Sequence, residues 1–264
     1  MNLSGSTTLL TGATGGIGHA IARRLHRAGS RLVLTGRRAD VLEPLAAELG
    51  AQAIAVDLAD RAALHRLAGE CAHVDVVVAN AALPASGALD SFTEEQIDRA
   101  LEVNLHAPIQ LTHLLAPGML ARGRGHFVFI SSLAGKTSTP GSSIYSATKF
   151  GLRGFGQGLR GDLHGTGVGV SVVFPGFIRE AGMFAESGVE LPSYVGTSTP
   201  EDVAEGVARG IEKNRAEIDV APFGVRAGAM FSGIAPQTAA SLTRRMGADS
   251  VSKELGENQL HKRM

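Results

Sequence analysis

The sequence predicts a doubly wound α/β fold, a single parallel sheet with helices on both faces. Three observations lead there. Short apolar runs alternate with amphipathic helical patterns, several of the runs are continuously apolar, and a glycine-rich turn joins the first run to the first helix. A strand covered on both faces has no polar side to show, so an unbroken apolar run marks a buried parallel strand. Strand then helix, repeated, leaves right-handed crossovers as the simplest connection.

The runs, in order, are TTLLTG from Thr7, RLVLTG from Arg31, AIAVDL from Ala53, VDVVVAN from Val74, HFVFISS from His126, VGVSVVFPG from Val168 and EIDVAP from Glu217. Helical periodicity fills Ile17–Ala28, Asp40–Leu49, Glu94–Met119 and Tyr145–Leu163. A further helix is expected near Thr199-Pro200-Glu201-Asp202, where a threonine N-cap precedes a proline in the first turn. No repeat, low-complexity tract or interdomain linker interrupts this order, so residues 1–264 are expected to form one catalytic domain. Two stretches resist the pattern. Residues 177–200, rich in Gly, Ser and Pro, are expected to be an insertion serving as a substrate lid. Residues 222–264 are expected to be an irregular C-terminal extension whose role the sequence leaves open.

Composition removes several classes of function. The chain has 264 residues, 44% hydrophobic and 19% charged, which suits a folded domain and not a disordered one. Its 25 basic and 25 acidic residues balance and form no basic run, so no nucleic-acid partner is expected. No apolar run is long enough to span a bilayer, and the start MNLSGSTTLL lacks the features of a signal peptide. The lone Cys71 and the scattered histidines offer no disulfide and no metal-ligand spacing. A metal-free, cytoplasmic protein is expected.

The turn Thr11-Gly12-Ala13-Thr14-Gly15-Gly16-Ile17-Gly18 opens the first helix. Glycines there let backbone approach a pyrophosphate, and the free N–H groups of the helix start favour its charge. Its spacing has two readings. Gly12, Gly16 and Gly18 form TGxxxGxG, while Gly12, Gly15 and Gly18 form GxxGxxG. The second run ends in Arg37-Arg38, where a fold preferring NAD usually carries an acidic residue for the ribose 2′-hydroxyl. Guanidinium groups suit a 2′-phosphate, so NADP(H) is expected, with NAD(H) the alternative.

Tyr145 and Lys149 lie four apart at a helix start, so both side chains can face one cleft. A free phenol titrates near pH 10, and a neighbouring ammonium favours its ionised form, which makes the pair a proton-transfer device. Ser132 follows a strand thirteen residues earlier and can donate to an oxygen on which charge develops. Either motif alone is common; together they point to acid/base chemistry on a carbonyl or alcohol.

With Asn80-Ala81-Ala82, Glu102-Val103-Asn104 and Phe174-Pro175-Gly176 added in this order, the chain resembles the short-chain dehydrogenase/reductase family from about Ser6 to Pro222. The resemblance implies a Rossmann-type fold and hydride transfer between a nicotinamide and a carbonyl/alcohol pair. It implies that Tyr145 is the acid/base, Ser132 orients the substrate oxygen, Lys149 binds the nicotinamide ribose, and Asn104 holds a water. The cofactor set it implies is Gly12, Thr14, Gly15, Gly16, Ile17, Gly18, Arg37, Asp57, Leu58, Asn80, Tyr145, Lys149, Pro175, Gly176 and Ile178. At the position where the family often has a threonine for the carboxamide, this chain has Glu180. Within this reading the substrate is an apolar, uncharged small carbonyl compound or alcohol, with a 3-oxoacyl thioester as an alternative. A catalytically silent nicotinamide-binding regulator is the competing class, and an epimerase or dehydratase a third that the short stretch after Lys149 disfavours. Gly154, Gly158 and Gly161 share a helix face, so a homodimer or homotetramer built on that helix is expected.

Overall fold

The apolar runs become strands of one sheet in a computed structural model that describes residues 1–189, 195–245 and 258. In chain order the elements are β1 (Thr7–Leu10), α1 (Gly16–Arg27), β2 (Arg31–Gly36), α2 (Ala39–Leu49), β3 (Gln52–Ala55), α3 (Arg61–Glu70), β4 (Val76–Ala79), α4 (Glu94–Leu101), α5 (Ala107–Arg122), β5 (Gly125–Ile130), α6 (Ser143–Asp162), β6 (Val168–Pro175), α7 (Gly182–Ala185), α8 (Pro200–Lys213), β7 (Glu217–Val220), α9 (Phe223–Ile234) and α10 (Pro236–Arg245). All strand pairings are parallel, in the order β3-β2-β1-β4-β5-β6-β7. The winding reverses between β1 and β4. Ligands of such sheets bind in the crevice beyond the strand ends at that reversal, which is where the glycine-rich turn leaves β1.

Every residue of β1, β4, β5 and β6 is buried, as their unbroken apolar runs require. One core cluster packs Ile21, Leu25, Leu42, Val207 and Ile211 against one face of the sheet. The other packs Leu64, Leu67, Leu111, Leu115 and Leu152 against the opposite face, with Phe127, Phe129 and Phe174 fully enclosed. Fully burying side chains of this size contributes about 1.5–3 kcal/mol each. Helix starts follow their local chemistry. Thr199 and Asp202 form a reciprocal capping box ahead of α8, as do Thr93 and Gln96 ahead of α4.

Two expectations are corrected. The single periodic stretch Glu94–Met119 is not one regular helix, because a π turn over Glu102–His106 separates α4 from α5. Such π turns are rare single-turn bulges inside otherwise α-helical segments, so helical spacing by itself leads to a regular helix. The C-terminal extension is not irregular across its described part: α9 and α10 are helices. The glycines of FGVRAGAMFSGI weaken a helical pattern, and Pro222 and Pro236, which read as breakers, stand at helix starts. Ala229 and Val225 then pack α9 onto the second core cluster.

The insertion is tied down at both ends. Phe177 O accepts from Ser198 N at 2.9 Å, and Ser198 O accepts from Arg179 N at 3.0 Å. Ile178 and Val189 are buried, and Phe177 meets Phe184 edge to face at 5.1 Å. Glu190, Leu191 and Tyr194, which the sequence reading assigned to the lid, lie outside the described residues. Among the described residues, no helix is long and apolar enough to cross a membrane, and no three His, Cys, Asp or Glu side chains cluster as metal ligands.

Candidate active site

The glycine-rich turn is held by contacts that fix its backbone. The Asn80 side-chain amide donates to Thr11 O at 3.1 Å and Gly12 O at 3.0 Å, while Thr11 Oγ1 accepts from Asn80 N and Ala81 N at 3.1 Å each. Gly12 has φ +67°, and a Cβ there would sit 2.7 Å from Ala81 Cα. A Cβ on Gly18 would meet the Gly12 carbonyl and lie 2.8 Å from Ala13 Cα. Gly15 is different, since its Cβ would find only Gly12 O, at 3.7 Å. The close-packed glycines are thus those of TGxxxGxG, and the ambiguity of spacing is resolved by sterics.

Beyond this turn lies a cavity of about 730 Å³. Ten of the residues expected to bind a nucleotide line it: Gly12, Thr14, Gly15, Gly16, Ile17, Gly18, Arg37, Asp57, Leu58 and Asn80. Both Arg37 and Arg38 line the cavity, and Arg38 Nη2 also donates to Thr14 O at 2.6 Å, which braces the turn. Burial raises the Asp57 carboxyl, but the Ala59 N–H and the Arg99 guanidinium (2.7 Å) outweigh it and leave it ionised, below the usual range. Four glycines, a helix N-terminus and a lining arginine fit the diphosphate and phosphorylated ribose of a dinucleotide.

Ser132, Tyr145 and Lys149 are not in the lining of that cavity. Ser132 follows β5, and Tyr145 and Lys149 lie in the first turns of α6, where Tyr145 N donates at 3.2 Å to the carbonyl of Ala85, the neighbour of the lining residue Pro84. Ser132 precedes a 3₁₀ turn, Leu133–Gly135, and its Oγ accepts from Ala134 N at 3.1 Å. Lys149 is 2% exposed; its Nζ donates to Ile130 O at 2.9 Å and sits 5.5 Å from the Tyr145 ring centroid. Burial pulls Lys149 down to about 8. Part of Tyr145 reaches solvent, yet desolvation of its hydroxyl pushes the phenol up to about 12, against a hydrogen bond with Ser132 that works the other way. In this state the phenol is protonated at neutral pH.

The remaining expected residues divide. Asn104 is fully buried on the π turn, where its amide clamps Leu83 by accepting from Leu83 N at 2.6 Å and donating to Leu83 O at 2.9 Å. Both polar ends of the side chain are therefore engaged with backbone. Pro175 O accepts from Ser132 Oγ at 3.4 Å. Gly176 lies so close to Ala221 that a Cβ would approach its methyl to 2.8 Å. The Ile178 side chain is buried in the first core cluster, leaving only backbone for a ligand. Glu180 adopts φ 72°, pairs with Arg179 at 3.0 Å and lines a separate hollow on the outer flank of α1. Met183 and Glu186, read from the sequence as part of the lid but not as cofactor residues, line the main cavity, and Ala181, which sequence reasoning missed, rests against Gly16. Their only signal was membership of the insertion.

This fold and cleft define a Rossmann-type oxidoreductase that acts on small molecules. The family model described as short chain dehydrogenase matches residues 6–190, and the chain belongs to that family, whose members bind NAD(P). It is 36% identical over 227 residues to Ketoacyl reductase HetN of Nostoc sp., covering 83% of this chain and 79% of that protein. It is also 36% identical over 220 residues to the NADP-dependent 3-hydroxy acid dehydrogenase YdfG of Salmonella typhi, covering 75% and 86%. A short-chain dehydrogenase from Sphingobium yanoikuyae, solved in complex with NADPH, superposes with a TM-score of 0.76 at 29% identity, over 93% of this chain and 95% of that one.

Proposed function

We propose that the protein is an NADP(H)-dependent carbonyl reductase with Tyr145 as its general acid. The hydrogen bond between Ser132 and the Tyr145 hydroxyl, with the enclosed Lys149 ammonium 5.5 Å from the Tyr145 ring centroid, is the observation on which this reading rests. When bound, the nicotinamide supplies hydride to the carbonyl carbon. Ser132 Oγ donates to the carbonyl oxygen and holds it against the Tyr145 hydroxyl. Tyr145 then gives that oxygen its proton as negative charge develops, which is the role its protonated state at neutral pH supports. We assign to the Lys149 ammonium, 5.5 Å from the Tyr145 ring centroid, the stabilisation of the phenolate left behind and the binding of the nicotinamide ribose.

Arg37 is assigned to the 2′-phosphate of NADP(H), in line with the NADP named for one relative and the NADPH named for one solved structure. Asn104 acts through its clamp on Leu83, which fixes the cavity wall behind the substrate. The insertion covers an apolar, uncharged substrate, and Glu180 stays outside, paired with Arg179. Among the described residues, a Cβ added at Gly154, Gly158 or Gly161 would meet nothing within 4 Å, and the same face of α6 carries the exposed Phe150, which suits a homodimer or homotetramer contact. A 3-oxoacyl thioester is the second substrate reading, favoured by the ketoacyl reductase named among the relatives.

The test is NADPH oxidation across aldehydes, ketones and 3-oxoacyl thioesters. Turnover of at least one carbonyl class is expected, faster with NADPH than with NADH. No oxidation across the panel despite tight NADPH binding would favour a silent regulator instead.

A further inference from the structure

A partly buried charge cluster outside the cleft reaches both the turn that follows Ser132 and helix α6, which carries Tyr145 and Lys149. Lys136 Nζ lies 2.6 Å from Asp219 Oδ1 and 2.8 Å from Glu217 Oε2, with its side chain 10% exposed. Arg153 Nε meets Glu217 Oε1 at 2.8 Å, and Gln157 Nε2 donates to the same oxygen at 2.7 Å. Arg226 Nε approaches Asp219 Oδ2 at 3.8 Å. Lys136 and Arg153 also flank the Phe174 ring, 4.1 Å and 5.7 Å from its centroid.

Lys136, Arg153 and the Phe174 ring that they flank each lie close to the site along the chain. Lys136 closes the turn that Ser132 begins: Gly135 N donates to Ser132 O, and Lys136 N to Leu133 O, both at 2.8 Å. Arg153 sits one turn beyond Lys149 on α6. Phe174 precedes Pro175, whose carbonyl accepts from Ser132. Gly135 also presses on α6, where a Cβ would lie 2.6 Å from Lys149 O.

Buried ion pairs stabilise little relative to apolar packing of the same volume, because desolvation offsets their attraction. What charged hydrogen bonds do supply is fixed geometry. We infer that Lys136, held by Asp219 and Glu217, is a positioning residue that sets the Ser132 hydroxyl against Tyr145. This rests on the reductase reading above. Lys136 touches neither substrate nor nucleotide; it holds the Leu133–Gly135 turn down on β7 and thereby fixes where Ser132 points.

The double variant Lys136→Met/Asp219→Asn removes one charge of each sign. Its kcat should fall about 10- to 100-fold, the loss expected when a catalytic group is misplaced by about an ångström. NADPH affinity by nucleotide fluorescence and the melting temperature should stay near wild type, and Lys136→Arg should keep most of kcat. A kcat equal to wild type would overturn the inference. So would a loss that tracks weakened NADPH binding and is shared by Lys136→Arg. If the double variant does not fold, Glu217→Gln reads the same effect, a smaller kcat loss at unchanged NADPH affinity, and an unchanged kcat there overturns it equally. Tyr145→Phe in the same assay separates the two levels. If Tyr145→Phe is silent while the Lys136 variants are fully active, the positioning role fails and the reductase reading stands.

Discussion

The glycine-rich turn and the insertion after β6 meet over one cavity, yet they are built by different rules. In the turn, backbone does the work: Gly12 and Gly18 sit where a Cβ would strike neighbouring main chain, and Asn80 locks the carbonyls. In the insertion, side chains do it. Ile178 and Val189 are buried, Phe177 packs on Phe184, and Ala181 rests on Gly16. Backbone requirements admit one residue type and leave a readable motif, whereas a covering surface can be assembled from many apolar residues. The nucleotide side is therefore explicit in the sequence and the substrate side is not.

The largest expected effect within this contrast concerns Arg37, the cavity-lining side chain proposed to hold a 2′-phosphate beside the backbone-built turn. Arg37→Asp replaces attraction for a 2′-phosphate with repulsion. Charge-assisted hydrogen bonds contribute about 1.5–3 kcal/mol, so NADPH affinity should drop about 10- to 100-fold. Titration by nucleotide fluorescence should show NADH affinity unchanged or improved. An unaltered NADPH affinity would leave Arg37 a cavity-wall residue with no part in cofactor choice.

A smaller effect sharpens the contrast inside the turn itself. Gly18→Ala forces a methyl into the Gly12 carbonyl and should destabilise the fold by about 1–3 kcal/mol while weakening NADPH binding. Gly15→Ala places its methyl in ordinary contact, 3.7 Å from Gly12 O, and should leave stability within about 0.5 kcal/mol. Thermal melts of the two variants side by side check this. Equal losses would mean that the turn is not held by the TGxxxGxG glycines.

The same division explains what could be read from residues alone. The strands were legible because stretches such as VVVA from Val76 and FVFI from Phe127 are apolar without a break, and the sheet buries β4 and β5 on both faces. The candidate catalytic residues were legible because Tyr145 and Lys149 are four apart on one helix. Their electrostatics were not. The sequence suggested a lysine that lowers the tyrosine, but Lys149 sits 5.5 Å from the ring and bonds to Ile130 O, so burial dominates and the phenol is raised. The π turn that carries Asn104 was hidden because it is a single turn inside a segment that is helical on both sides. Helix α9 was hidden by its glycines. The cluster of Lys136, Glu217 and Asp219 was out of reach because its members, distant in sequence, meet only when β7 pairs with β6.

The central claim, that binding belongs to the turn and chemistry to Tyr145, is tested most directly by single-turnover oxidation of NADPH bound to Tyr145→Phe. This substitution keeps the ring and removes the one hydroxyl assigned to protonate the substrate oxygen. The account predicts that NADPH binds the variant as tightly as wild type and is then oxidised by a carbonyl substrate about 10²- to 10⁴-fold more slowly, the usual contribution of general acid catalysis. Oxidation at the wild-type rate from the same bound complex would contradict it.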